Sequence, residues 1–89
     1  MIITAELSLY PLQDGPIPEI KRFIHDLRTC EGIEIVTNQL STQLRGEFEA
    51  VTAAINQCMR RVMESDNTLV LVAKYLNVDL AIGRAPDLD

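Results

Sequence analysis

The stretch Ile33-Glu34-Ile35-Val36-Thr37-Asn38-Gln39-Leu40-Ser41-Thr42-Gln43-Leu44-Arg45 decides the fold. Its β-branched residues predict a second strand over 33–40, followed closely by a third over 42–45, with the turn between residues 38 and 41. Upstream, Ile3, Ala5, Leu7 and Leu9 alternate with Thr4, Glu6, Ser8 and Tyr10, the period-two pattern of a strand with one apolar and one polar face. A rigid connection over 11–18, with three prolines and the pair Asp14-Gly15, leads from that strand into a helix over 17–30. Ile17, Ile20, Ile24 and Leu27, with Phe23 and Cys30 alongside, form the helix's apolar stripe, and Gly32 is its left-handed stop.

Downstream the helical period returns from Phe48 to near Ser65. Val51, Ile55, Cys58 and Val62 form the inward stripe and Met59 and Met63 read as core, while Glu49 near the start and Arg60 and Arg61 near the end suit the helix dipole. Asp66 and Asn67 supply a turn, and 68–76 reads as a fourth strand whose nearly continuous apolar run implies cover on both faces. The order strand, helix, strand, strand, helix, strand is that of an α+β, ferredoxin-like βαββαβ two-layer sandwich, with two helices on one face of a four-stranded antiparallel sheet. A single domain is expected over 1–80, followed by a frayed C-terminal tail over 81–89. In this topology the first strand is central, so Thr4, Glu6, Ser8 and Tyr10 line the middle of the open face, joined by Lys74 or its neighbours. An uncovered sheet with apolar residues favours a symmetric homodimer, or a tetramer built from one.

Composition narrows the function classes. Eighty-nine residues make one domain, and 47% apolar with 24% charged residues suits a packed core. A net charge of −5 argues against nucleic acid, as does a third strand without the paired aromatics that stack bases. The longest apolar run, residues 69–73, falls far short of the roughly 20 residues of a membrane span. The opening residues show no basic leader or long apolar stretch, so cytoplasmic residence is the expectation. Cys30 and Cys58 lack close metal- or redox-type spacing and are expected as buried, reduced thiols; His25 groups with Lys21, Arg22 and Arg28 on a polar helix side. No glycine-flanked serine elbow or metal-ligand cluster stands out, so no catalytic residue, metal or cofactor is assigned.

The segments Ser8-Leu9-Tyr10-Pro11-Leu12, Ile17-Pro18-Glu19-Ile20-Lys21 and Asn38-Gln39-Leu40-Ser41-Thr42-Gln43-Leu44-Arg45-Gly46-Glu47-Phe48, with Lys74 to Leu80 closing the last strand, resemble the YkoF-related family of thiamine- and hydroxymethylpyrimidine-binding proteins. The resemblance spans residues 4 to about 79. It implies a ferredoxin-like fold and reversible binding of thiamine or its pyrimidine fragment without turnover. This chain departs from the founding members, which carry two such units in tandem, in having one unit. A homodimer replaces the missing repeat under this reading.

Thiamine carries a permanent cation and a flat aminopyrimidine, so its site needs a carboxylate, hydroxyl or amide partners, and an aromatic or apolar wall. Ser8, Tyr10, Asn38, Ser41, Thr42 and Gln43 lie in the resembling segments and supply those types; Glu6 is added on physical grounds, with Lys74 beside it. Each has a plainer alternative. Asn38, Ser41 and Thr42 also suit the closure of a hairpin, Tyr10 the packing of a strand end or dimer seam, and Glu6 with Lys74 an ordinary cross-strand ion pair. Gly46 suits backbone geometry at the strand-to-helix junction. Two other function classes compete with ligand binding. One is a small monooxygenase or isomerase, against which stands the expectation of no histidine or arginine on the open face. The other is a regulatory or structural oligomerisation module that uses the open sheet for protein contacts.

Overall fold

The computed structural model describes residues 1–12 and 18–88 of the chain. Six elements run in the expected order: β1 (Ile2–Pro11), α1 (Pro18–Arg28), β2 (Ile33–Thr37), β3 (Thr42–Glu47), α2 (Phe48–Met63) and β4 (Leu69–Leu76). The helix entry at Ile17 and most of the proline-rich connection lie outside the described residues. The strands form one antiparallel sheet in the order β2-β3-β1-β4. The helices pack on each other and on β1, β2 and β3, which makes the two-layer ferredoxin-like sandwich.

The period-two pattern of β1 sends Ile3, Ala5, Leu7 and Leu9 into the layer between sheet and helices. They meet Leu44 of β3, Phe23 and Leu27 of α1, and Val51, Ala54, Ile55, Cys58 and Val62 of α2. Gly32 ends the approach from α1 at φ +80°, a left-handed conformation that costs glycine little. Gly46 pairs with both Ile3 and Ile33. A Cβ there would stand 2.9 Å from the Gly32 carbonyl oxygen, so its role is close backbone approach between β3 and the start of β2.

Several boundaries and burials differ from expectation. β2 stops at Thr37 rather than at 40, because the Asn38 Oδ1 accepts the Leu40 and Ser41 N–H groups at 2.9 and 3.1 Å and closes the turn early. β3 continues to Glu47, held by pairing of Gly46 and Glu47 with Ile3 and Ile2. α1 ends at Arg28, where the Thr29 and Cys30 N–H groups donate three residues back and tighten the last turn. Met59 is half-buried and Met63 exposed, so neither belongs to the buried core. The apolar run of β4 is not covered on both faces. β4 is the edge strand: Leu69 and Leu71 pack against the core, while Val70, Val72, Tyr75 and Leu76 are exposed.

Beyond β4 the chain bends back over the open face through residues 78–80, before the expected tail begins. The buried Thr4 hydroxyl donates to the Val78 carbonyl at 2.7 Å and accepts the Leu80 N–H at 3.1 Å. Arg45 pairs with Asp79, and Gly83 lies against Glu34. Turns bonded from Ile82 to Leu80 and from Arg84 to Ala81 continue this path. No helix among the described residues is long and apolar enough to cross a membrane.

Candidate ligand-binding site

The sheet register divides each strand between two faces. Thr4, Glu6, Ser8 and Tyr10 of β1 stand on the open face, beside Gln43 and Arg45 of β3 and Val70, Val72, Lys74 and Leu76 of β4. Glu34 and Val36 of β2 complete that face opposite Arg45 and Gln43. Arg45 corrects the expectation of an open face free of arginine. Its guanidinium is engaged by Asp79 and, at 3.9 Å, by Glu34, and Arg45 holds the Asp79 carboxyl below the usual carboxylate range.

A cavity of about 380 Å³ opens at the other end of β1. Three segments distant in sequence meet there: Leu7, Ser8, Leu9 and Tyr10 of β1; Ile20, Phe23 and Ile24 on α1; and Thr37 to Thr42 around the β2–β3 turn. The α1 stripe reaches the cavity because its three- and four-residue spacing keeps Ile20, Phe23 and Ile24 on one side of the helix. The start of α1 is tied down by Asn67, whose amide donates to the buried Glu19 carboxylate at 2.7 Å. The Asn38 turn places Gln39 and Leu40 at the cavity edge. Thr37 and Thr42 face each other across β2 and β3, their hydroxyls 3.1 Å apart.

Five of the eight sequence-predicted residues line this cavity: Ser8, Tyr10, Asn38, Ser41 and Thr42. Tyr10 is 53% exposed and stands at the mouth, whereas Thr42 is buried and shares its hydroxyl with Thr37. Asn38 serves the hairpin through its carbonyl oxygen, as the plainer alternative expected. The same turn fixes that side chain at the cavity edge.

Glu6, Gln43 and Lys74 do not line the cavity. Glu6 forms the cross-strand pair with Lys74 at 3.5 Å and accepts from the Ser41 hydroxyl at 3.0 Å, so its carboxylate touches the rim through one hydrogen bond. Gln43 lies at the tail end instead, bordering a hollow lined by Leu80, Ala81 and Ile82. Sequence reasoning missed the apolar wall of Leu7, Leu9, Ile20, Phe23 and Ile24, and Thr37, Gln39 and Leu40 at the turn. The i, i+3, i+4 relation of Ile20, Phe23 and Ile24 was the signal available, but it reads equally as core.

The lining formed by these residues is neutral: hydroxyls and amides at one side, aliphatic groups and the Phe23 ring at the other. Such a lining suits a flat, uncharged heteroaromatic ring that stacks on the apolar wall and exchanges hydrogen bonds with the rim. A cationic group attached to that ring would find the Glu6 carboxylate outside the cavity proper.

No protein-family model matches the chain, and no curated protein matches it in sequence. Solved structures do match. SP2199 of Streptococcus pneumoniae superposes with a TM-score of 0.78 at 26% identity, over 92% of this chain and 91% of its own. The hypothetical protein MJ1052 of Methanocaldococcus jannascii gives 0.74 at 21% identity, over 88% and 81% of the two chains. The chain has their ferredoxin-like fold. A "putative thiamine biosynthesis/salvage protein", TM0486 of Thermotoga maritima, gives 0.72 at 20% identity over 97% and 90% of the two chains. A domain of unknown function, DUF77 of Bacillus cereus, gives 0.69 at 12% identity, over 88% of this chain and 77% of its own. This ferredoxin-like company is consistent with the YkoF-related resemblance.

Proposed function

We propose that this chain binds thiamine or its hydroxymethylpyrimidine fragment reversibly and without turnover, in vitamin supply, salvage or transport in the cytoplasm. The observation that carries the reading is convergence: Ser8, Tyr10, Asn38, Ser41 and Thr42, chosen from separate sequence segments, border one cavity with an apolar wall. The pyrimidine would lie against Phe23 and the aliphatic side chains, with its polar edge toward Ser8, Asn38 and Ser41. The thiazolium of thiamine would extend toward the open face and Glu6. The thiamine-related name of TM0486 supports the same ligand class.

Isothermal titration of the folded protein with thiamine and with hydroxymethylpyrimidine, alongside light scattering in the same buffer, tests this reading. Saturable binding near one ligand per chain or per dimer is expected, by a homodimer or homotetramer. Absence of binding by well-folded protein would overturn it. A second reading, an interaction module, draws on a different observation: Tyr10, Val70, Val72, Leu76, Val78 and Leu80 are all exposed apolar or aromatic residues on or beside the open face. Assembly lost on Tyr10→Ala, with no ligand bound by the parent protein, would favour that module.

A further inference from the structure

Cys30 and Cys58, 28 residues apart in sequence, bring their sulfurs to 4.0 Å. Cys58 sits mid-way along α2 and is 1% exposed, whereas Cys30 lies just past the end of α1 and is half-buried. Both are free thiols. A disulfide requires the sulfurs to close to about 2.05 Å. The short segment between α1 and Gly32 belongs to no helix or strand, so Cys30 can supply that movement while α2 holds Cys58 fixed.

We infer that Cys30 and Cys58 are a dithiol site that hydrogen peroxide converts to a reversible intramolecular disulfide joining the end of α1 to α2. The two sulfurs have different chemistry. Burial pushes the Cys58 thiol up to about 12, with the neighbouring Cys30 sulfur adding to the shift, so Cys58 stays protonated. Cys30 has the access to solvent, and its sulfur attacks one peroxide oxygen. The O–O bond breaks, the departing hydroxide takes a proton to become water, and Cys30 is left as the sulfenic acid. The Cys58 sulfur then attacks the Cys30 sulfur; the S–S bond forms, the S–O bond breaks, and the second water leaves with the Cys58 proton. Two thiols lose two electrons in all, and one peroxide becomes two waters. The cross-link would fix the helix that carries Ile20, Phe23 and Ile24 against its neighbour, although the proposal stands on the thiols alone and not on any ligand.

The test treats the full reduced chain with hydrogen peroxide and follows intact mass, free thiols and tryptic fragments without reductant. Free thiols should fall from two to zero per chain, with loss of two hydrogens and no oxygen added to either cysteine, sulfoxide at the exposed Met1 and Met63 being counted apart. The fragments 29–45 and 46–60 should be joined, and dithiothreitol should restore both. The thermal midpoint of the oxidised chain should be higher, because the loop between the cysteines is closed in the unfolded state. Cys30→Ser, a near-isosteric change at a half-buried position on the margin of the core, should fold normally and keep the Cys58 thiol unmodified. Persistence of both thiols, a Cys30 sulfinic acid without a cross-link, or disulfides between chains would each overturn the inference.

Discussion

The two ends of β1 are built from the same alternation of residues and finish differently. At the Thr4 end the open face is closed by the chain itself: Thr4 is 4% exposed and its hydroxyl is bonded to both Val78 and Leu80, with Arg45 and Asp79 paired alongside. At the Tyr10 end no segment among the described residues fills the space between β1, α1 and the β2–β3 turn, and a cavity of about 380 Å³ is left. Residues 78–80 thus cover one end of the open face, whereas the cavity lies toward the helix side of the sheet, with Ser8 and Tyr10 at its border. The contrast places structural hydrogen bonding at the Thr4 end and, under the proposed function, ligand binding at the cavity end.

Leu7→Ala should break both ends together. Leu7 is fully buried between them and also lines the cavity, so its truncation should cost about 2–5 kcal/mol in denaturant unfolding and weaken ligand binding as well. Thr4→Val should separate them. Removing the hydroxyl leaves the Val78 carbonyl and Leu80 N–H without their partner, at about 1–3 kcal/mol of stability, while calorimetric affinity for hydroxymethylpyrimidine stays at the parent value.

Tyr10→Ala is the converse. Its exposed ring should contribute about 0.5–1.5 kcal/mol to binding of a flat ligand, with unfolding free energy changed by no more than about 0.5 kcal/mol. The smallest effect belongs to Asp79→Asn. Because the Asp79 carboxyl lies below its ordinary value of 3.8 in the folded chain, its stabilisation is present above that value and lost as the pH falls through the folded one. Urea midpoints of parent and variant should thus differ at neutral pH and converge in acid, with the neutral-pH gap shrinking in high salt.

The fold was legible because its signals are local. Alternation in β1, the helical stripes and the succession of two strands without an intervening helix each depend on neighbours a few residues away. The left-handed backbone of Gly32 was also readable, although it falls in the turn before β2 and not at the end of α1, which stops at Arg28. What failed depended on distant partners. The apolar run of β4 suggested burial on both faces, but its place at the sheet edge is set by pairing with β1, and Val70 and Val72 remain exposed. The fold-back of the chain just after β4 was equally hidden, because Asp79 finds Arg45, 34 residues away. Met63 continues the apolar pattern but is exposed, because its neighbour Val62 takes the inward position at the end of α2. In the site, the polar rim was chosen from residue chemistry, while the wall of Ile20, Phe23 and Ile24 was hidden because a cavity lining and a core share one pattern. Cys30 and Cys58 were isolated by the same limit, since only packing of α1 on α2 brings them together.

The most direct measurement is a ¹H–¹⁵N correlation titration of the folded chain with hydroxymethylpyrimidine. Binding at the cavity end predicts saturable shifts at Ser8, Leu9, Tyr10, Ile20, Phe23, Ile24 and 38–42, with Thr4, Arg45 and 78–80 unmoved. Shifts concentrated at the tail end, or no shifts at any ligand concentration, would contradict it.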